Sequence, residues 1–378
     1  MEVMHHWDFQ RIARKHGLNG SKFGFSAWDH FCAMAFAQLT YRESLRDIET
    51  CLGAQASLQY HLGFSRTVKR TTLAYANEHR DWRFFAGLGE RLIHRARTLY
   101  EDEPSALDLD GAIYALDSTM IDLSLALCPW ADWTGRDAAM KMHTLLDLRG
   151  ELPAFVTISE GERSDQSGLD DIPLEAGSYY VMDRGYLDFR RLQRFCHSGA
   201  YFVIREHAGV CWRVLEPRKV DRSGALRCDQ KIRFTGRYSQ VYWPEPMRRV
   251  GIFDQVHRKR MAFWTNQWTL PALTISDLYR QRWRIEIFFR WIKQNLRLRS
   301  FYGTTPNAVR VQIWTAICAY LLVAILRKQL QISRSITEIL QIISVNVFQQ
   351  VPVKSLLADS QCTPEETQCS NQLSLNGF

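Results

Sequence analysis

The chain has 378 residues, 46% hydrophobic and 23% charged, with a formal net charge of +8. That balance excludes a disordered or fibrous chain and allows one large domain or two to three smaller ones. Its basic excess suits nucleic acid or another anionic surface, and nine cysteines without a Cys-x-x-Cys pair argue against a disulfide framework or zinc knuckle and fit a reducing cytoplasm.

In chain order, residues 1–100 read as helical. The opening "MEVMHHWDFQRIARKHG" has no apolar signal-peptide core. "FSAWDHFCAMAFAQLTY" has helical apolar spacing with Ser26 as an N-cap. "RESLRDIETCLG" follows, stopped by Gly53. "GFSRTVKRTTLAYANEHRDWR" predicts a helix capped by Ser65 or Thr67, with Lys69, Arg70, Thr71 and Thr72 in its first turns. An acidic linker near Tyr100–Gly111 gives way to strands. "AIYALDSTMIDLSL" is rich in β-formers, "KMHTLLDLRGELPAFVTIS" reads as two strands around Arg149-Gly150, and "SYYVMDRGY" is a short strand stopping at Asp183. A helix ending at Gly199 and the strand "YFVIREH" complete residues 101–206.

Residues 207–260 are strand-like but irregular, which predicts a β-rich insertion. "MAFWTN" reads as a buried strand and opens a further segment, residues 261–345. That segment continues with one long helix, "YRQRWRIEIFFRWIKQNL", and then more helices. One of these, "IWTAICAYLLVAIL", is too short as read to span a bilayer and is expected to be a buried core helix, so no membrane is expected as a partner. The tail, residues 346–378, is polar from Ala358 on and expected to be disordered.

On a helical wheel, Tyr279, Arg282, Glu286 and Lys293 share an arc of roughly 60°, beside an apolar stripe of Ile285, Phe288, Phe289, Ile292 and Leu296. Alone, this reads more readily as a solvated i,i+4 ladder from Arg282 to Glu286. Two further acids shift the balance. Asp117 and Asp183 each directly follow an apolar strand, where a carboxylate is costly without a partner or metal. Singly, each reads as well as an Asx-type turn residue. Together, three carboxylates form a hard oxygen set suited to Mg²⁺ or Mn²⁺, and a pair of such ions serves phosphoryl transfer. Arg282 and Lys293 would then face phosphates.

At this point the sequence resembles a known family. Tyr279-x2-Arg282-x3-Glu286-x6-Lys293 matches the signature of the bacterial insertion-sequence DDE transposases of the Tyr-Arg-Glu-Lys group. "ALDSTMIDLS" and "YVMDRGYLDF" resemble that family's two Asp motifs, and the likeness covers roughly residues 20–350. It implies an α/β protein: a ribonuclease-H-like catalytic core with a β-rich insertion, plus an N-terminal helical DNA-binding domain. It further implies that Asp117, Asp183 and Glu286 are catalytic and hold Mg²⁺ or Mn²⁺, two ions in all. Tyr279, Arg282 and Lys293 are expected to contact DNA. The implied substrates are double-stranded terminal inverted repeats and target DNA, handled by a homodimer in a synaptic complex. The implied setting is the bacterial cytoplasm, at the nucleoid.

In well-understood relatives, excision passes through a DNA hairpin with a Trp stacked on a flipped base. Here Trp264 lies past the expected place near Arg260 or Met261, and a strand Trp is more often core, so the excision route stays open. Tyr41–Arg83 reads as helix-turn-helix-like, with Lys69, Arg70 and Thr71 as DNA contacts, or else as a plain bundle with a basic rim. Lys141 and His143 are a strand-face pair that either touches DNA or does not. The leading function is cut-and-paste excision and integration. A metal-dependent nuclease without strand transfer and a domesticated DNA-binding regulator are the competing readings.

Overall fold

The computed structural model describes residues 6–18, 24–105, 107–132, 138–221, 224–255, 258–295, 301–349 and 351–357. The expected disordered tail beyond 357 and Leu296 of the apolar stripe lie outside them. Five helices come first: α1 (His6–Lys15), α2 (Ala27–Leu39), α3 (Leu45–Ala54), α4 (Arg70–His79) and α5 (Trp82–Leu99). Ser26 caps α2 through a reciprocal box with Asp29. Ser65 caps nothing in α4; its backbone N–H and hydroxyl both donate to the buried Asp29, at 2.7 Å each. Helix α4 therefore starts at Arg70, with Lys69 at the cap position and no side-chain cap. The connection from α3 to α4 spans residues 55–69 and holds a 3₁₀ segment, Ala56–Leu62, too long for a helix-turn-helix turn.

A nine-stranded sheet follows, in the order β3-β2-β1-β4-β5-β9-β8-β7-β6. Its first half contains β1 (Ile113–Leu123), β2 (Ala138–Asp147), β3 (Leu152–Glu160), β4 (Tyr179–Met182) and β5 (Tyr201–Arg205), with α6 (Asp165–Gly168) and α7 (Phe189–His197) in the connections. β1, β2 and β3 are antiparallel neighbours, while β4 and β5 run parallel to β1. The β2–β3 turn uses Gly150 at φ 73°, where a Cβ would meet the Tyr100 ring at 2.3 Å.

The second half contains β6 (Trp212–Arg218), β7 (Leu226–Phe234), α8 (Arg237–Tyr242), β8 (Met247–Asp254) and β9 (Lys259–Thr265). The β-rich segment thus extends the same sheet, with β9 pairing to β5. "GRYSQVY" is helical, not strand-like. Buried Arg248 pairs with Asp229 and donates to the carbonyls of Gln267 and Leu270, tying this half to the loop before α9 (Ala272–Gln281).

Helices α10 (Trp283–Asn295), α11 (Pro306–Gln329), α12 (Ile336–Asn346) and α13 (Val353–Leu357) complete the chain. Strand alternation gives the sheet two faces. Ile113, Ala115, Val181 and Val203 share one core with the N-terminal helices, α10 and α11; Tyr114, Leu116, Tyr180 and Met182 belong to the core that includes Phe189, Leu192 and Phe195 of α7. Helix α11 is longer than the apolar run suggested, and its 24 residues would suffice to cross a membrane by length and composition. It is instead a core helix, with 89% of its most apolar window buried, against α2, α5 and α12. The C-terminal tail begins with structure, since Leu357 of α13 is buried beside Ile339 and Leu340.

Candidate active site

The helix carrying Glu286 is not continuous. α9 ends at Gln281, Arg282 forms the junction, and α10 begins at Trp283. The junction is a tightened turn: Arg282 N–H donates to the Tyr279 carbonyl, and Ile285 N–H to the Arg282 carbonyl, both at 3.1 Å and both three residues back. At that turn the Arg282 guanidinium reaches the sheet.

Asp117 does not end a strand, as its sequence position suggested. β1 runs on to Leu123, hydrogen-bonded only to β2 beyond Leu116. The parallel β1–β4 pairing stops at Leu116↔Met182, so Asp117 and Asp183 are the next residues of two adjacent strands. Both continue the register that faces α10. Asp183 does end its strand, and a short 3₁₀ turn, Arg184–Tyr186, follows it.

Around these acids the hydrogen bonds converge from four elements. Arg282 Nη1 donates to Asp117 Oδ2 at 2.9 Å, and Nη2 donates to Glu286 Oε1. Tyr279 Oη donates to Asp183 Oδ1 at 3.1 Å, its ring packed 4.5 Å from that of Phe263 on β9. Ser118 N–H donates to Asp117 Oδ1 at 2.8 Å. Burial raises the Asp117 carboxyl to about 6, with the Glu286 and Asp183 charges adding to the rise and the Ser118 N–H and Arg282 opposing it. Burial, then the Asp183 charge, pushes the Tyr279 phenol to about 12. Burial disfavours the charged Arg282, but Tyr279, Asp117 and Glu286 outweigh it and hold the guanidinium above its ordinary value.

Lys293 sits half-buried two turns beyond Glu286 on α10. Lys69, Arg70 and Thr71 are exposed at the start of α4, outside this cluster. Lys141 is turned inward to Asp165 and the Arg163 carbonyl, and His143 is buried, so neither offers itself to DNA. Trp264 is fully buried, its ring 5.0 Å from that of Phe234, and is core packing rather than a stacking platform. Sequence reasoning missed Asp165, which accepts from Ser118 Oγ at 2.6 Å; no local pattern marks a contact made across 47 residues.

Among the described residues, no three His, Cys, Asp or Glu side chains come together as a ready-made metal cage. The donor chemistry still fits a hard cation. One half-buried carboxyl is held against two neighbouring acids, and the positive group already drawn between two of them is Arg282.

Residues 108–322 match the family model described as Transposase DDE domain, and residues 1–65 match a domain of unknown function (DUF4372). The chain therefore belongs to the DDE transposases, enzymes that cleave DNA and transfer its strands. Among its relatives is y4zB of Sinorhizobium fredii, named as a transposase, 30% identical over 64% of this chain and 68% of that one. Another, from Geobacillus stearothermophilus, is named as the transposase of insertion sequence element IS5377; it is 32% identical over 58% of this chain and 59% of its own length. The family implies dependence on a divalent metal. A piggyBac transposase synaptic complex with hairpin DNA aligns over 98% of this chain at a TM-score of 0.46 and 10% identity, a likeness too slight to carry weight.

Proposed function

We propose that this transposase belongs to the Tyr-Arg-Glu-Lys group and moves an insertion sequence by cutting it out and joining it elsewhere. One observation carries the reading. Asp117, Asp183, Tyr279, Arg282 and Glu286, spread over 170 positions of the sequence, are linked by hydrogen bonds and charge where the parallel pairing of β1 and β4 stops. The strand order β3-β2-β1-β4-β5, antiparallel then parallel, supports the ribonuclease-H-like reading of the core.

Asp117, Asp183 and Glu286 would hold Mg²⁺ or Mn²⁺, two ions in all. Such ions, when bound, supply Lewis acidity to the attacking hydroxyl and to the phosphodiester. The chain's own groups orient and compensate. Tyr279 fixes Asp183, and Ser118 N–H fixes Asp117. Arg282 neutralises the acids through both of its terminal nitrogens. Lys293 extends that positive face along α10.

Residues 1–100 would bind the terminal inverted repeats through Lys69, Arg70 and Thr71, where exposed cations surround a helix start without a side-chain cap. The remaining units would be 101–206 and 261–345 as the split core, 207–260 as the insertion, and 346–378 as the tail. A homodimer on paired ends, in the bacterial cytoplasm at the nucleoid, completes the reading. A nuclease without strand transfer and a domesticated regulator have no observation in their favour. The test is a donor plasmid carrying the element, incubated with protein, Mg²⁺ and a target plasmid. Cut-and-paste predicts a free excised fragment whose 3′ ends become joined to target. Joined products that remain attached to donor flanks would overturn it.

A further inference from the structure

The backbone ladder leaves a gap at the active site. Pairing between β1 and β4 ends at Leu116↔Met182, one residue before the two aspartates. Beyond that pair, no ladder bond between β1 and β4 holds Asp117 and Asp183 at their spacing. The reverse face of the sheet supplies a link. Ser118 points there, opposite to Asp117, and its hydroxyl donates to Asp165 Oδ1 at 2.6 Å. Lys141, on β2, lies 3.3 Å from the same oxygen and donates to the Arg163 carbonyl at 2.7 Å. Asp165 opens α6, and the next residue, Gln166, donates its side-chain amide to the Leu187 carbonyl at 3.1 Å. Leu187 closes the 3₁₀ turn that starts at Asp183. Gly185 in that turn runs so close that a Cβ there would sit 3.9 Å from Asp165 Oδ2. One short helix is thus fastened to the residue after Asp117 and to the turn after Asp183.

We propose that Asp165 is a positioning residue for the reaction: through α6 it bridges β1 to the exit of β4 and holds the two catalytic aspartates at the spacing a divalent cation requires. The bridge takes the place of the ladder bond that β1 and β4 do not make. Asp165 acts through Ser118, whose backbone N–H donates to Asp117. This rests on the reading of Asp117 and Asp183 as metal-holding residues.

The test compares full-length Asp165→Ala, Asp165→Asn, Ser118→Ala and Asp117→Asn. Three quantities are read: Mn²⁺ binding by electron paramagnetic resonance without DNA, affinity for end DNA, and cleavage rate. Asp165→Ala and Ser118→Ala are expected to weaken Mn²⁺ binding and slow cleavage by about 10- to 100-fold, the usual effect of removing a supporting partner of a metal site. End-DNA affinity should not change. Asp165→Asn keeps an acceptor for Ser118 and should recover most of the loss, a rescue that a general packing role would not produce. Should Asp165→Ala fail to fold, Ser118→Ala carries the decision, since it removes the same bond by deleting one oxygen. Unchanged Mn²⁺ affinity in Ser118→Ala, or equal losses in the Asn and Ala variants, overturns the proposal. Asp117→Asn separates the two levels: if it too binds Mn²⁺ normally, the metal reading has failed; if it alone loses Mn²⁺, only the bridge has.

Discussion

The start of α4 and the α9–α10 junction both set cations beside hydroxyl-bearing side chains, and as strings they look alike. At α4, Lys69 is 66% exposed and its acidic neighbour, Glu49, is 3.9 Å away. Such a pair is screened and contributes roughly 0–1 kcal/mol. At the junction, Arg282 is 16% exposed and committed to two carboxylates. The difference is burial. A buried guanidinium is held by its acids and becomes part of a site's electrostatics, whereas exposed cations are free to exchange counterions for phosphates. The same residue types therefore divide into a set paired with acids and a solvated set, and the proposed chemical and binding roles follow that division.

The largest effect should come from the half-buried cluster at the junction. Asp117→Asn, Asp183→Asn and Glu286→Gln are each expected to lower cleavage by about 10³-fold or more, because metal ligands act as a unit. End-DNA affinity, the property assigned to α4, should survive in gel shifts. Any of the three cleaving at near wild-type rate would break the division of roles.

Next comes a contrast within α10 itself. Phe289→Ala should lower stability by about 3–5 kcal/mol, read in chemical denaturation, because the ring is buried in the main core. Lys293→Ala, half-buried on the other arc, should leave the denaturation midpoint nearly unchanged and slow cleavage. Loss of stability in Lys293→Ala would make that lysine a structural element.

Smaller still is the effect at α4. Neutralising Lys69 and Arg70 together should flatten the salt dependence of end binding by up to about two units of slope, with cleavage of saturated complexes unchanged. The measurement belongs on the full chain. α2 and α5 pack on α11 in one shared core, so residues 1–100 alone would expose a large apolar face. An unchanged slope would leave this region a basic-rimmed bundle.

What the sequence made legible follows the range of the forces involved. Local patterns were enough for the helical character of the first hundred residues, the β2–β3 pair and the Ser26 cap, since periodicity and capping are short-range, but not for the start of α4, where Ser65 is taken by Asp29 from 36 positions away. The acids themselves were legible because a carboxylate after an apolar run is costly wherever it sits. Asp117 was misplaced at a strand end because β1 changes partners there: it loses β4 and keeps β2, which no alternation pattern records. The break at Arg282 was invisible for a similar reason, as no Gly or Pro marks it and the bond to Asp117 spans 165 positions. The contact of Asp165 with Ser118 is equally a product of tertiary pairing, whereas the burial of Trp264 follows the apolar strand it sits in.

The last expectation concerns pH and separates the two basic sites through the acid beside one of them. Asp117 is raised from 3.8 to about 6, chiefly by burial. An acid raised on folding holds its proton more tightly in the native state. Its contribution to stability is therefore complete below pH 3.8 and is lost as pH rises through about 6. Above that, the ionised carboxylate is a burden on the metal-free protein, with an upper bound of about 3 kcal/mol for a shift of this size. A divalent cation binds only the ionised form, so it relieves a burden that exists only at higher pH. The rise in Tm on adding Mg²⁺ should be small at pH 5 and larger at pH 7.5, by on the order of a few degrees. Asp117→Asn should remove that pH dependence, while neutralising Lys69 and Arg70 should leave it intact, because those exposed cations do not face the carboxyl. A Mg²⁺-induced rise in Tm that is the same at both pH values would mean that Asp117 is not the group the cation meets.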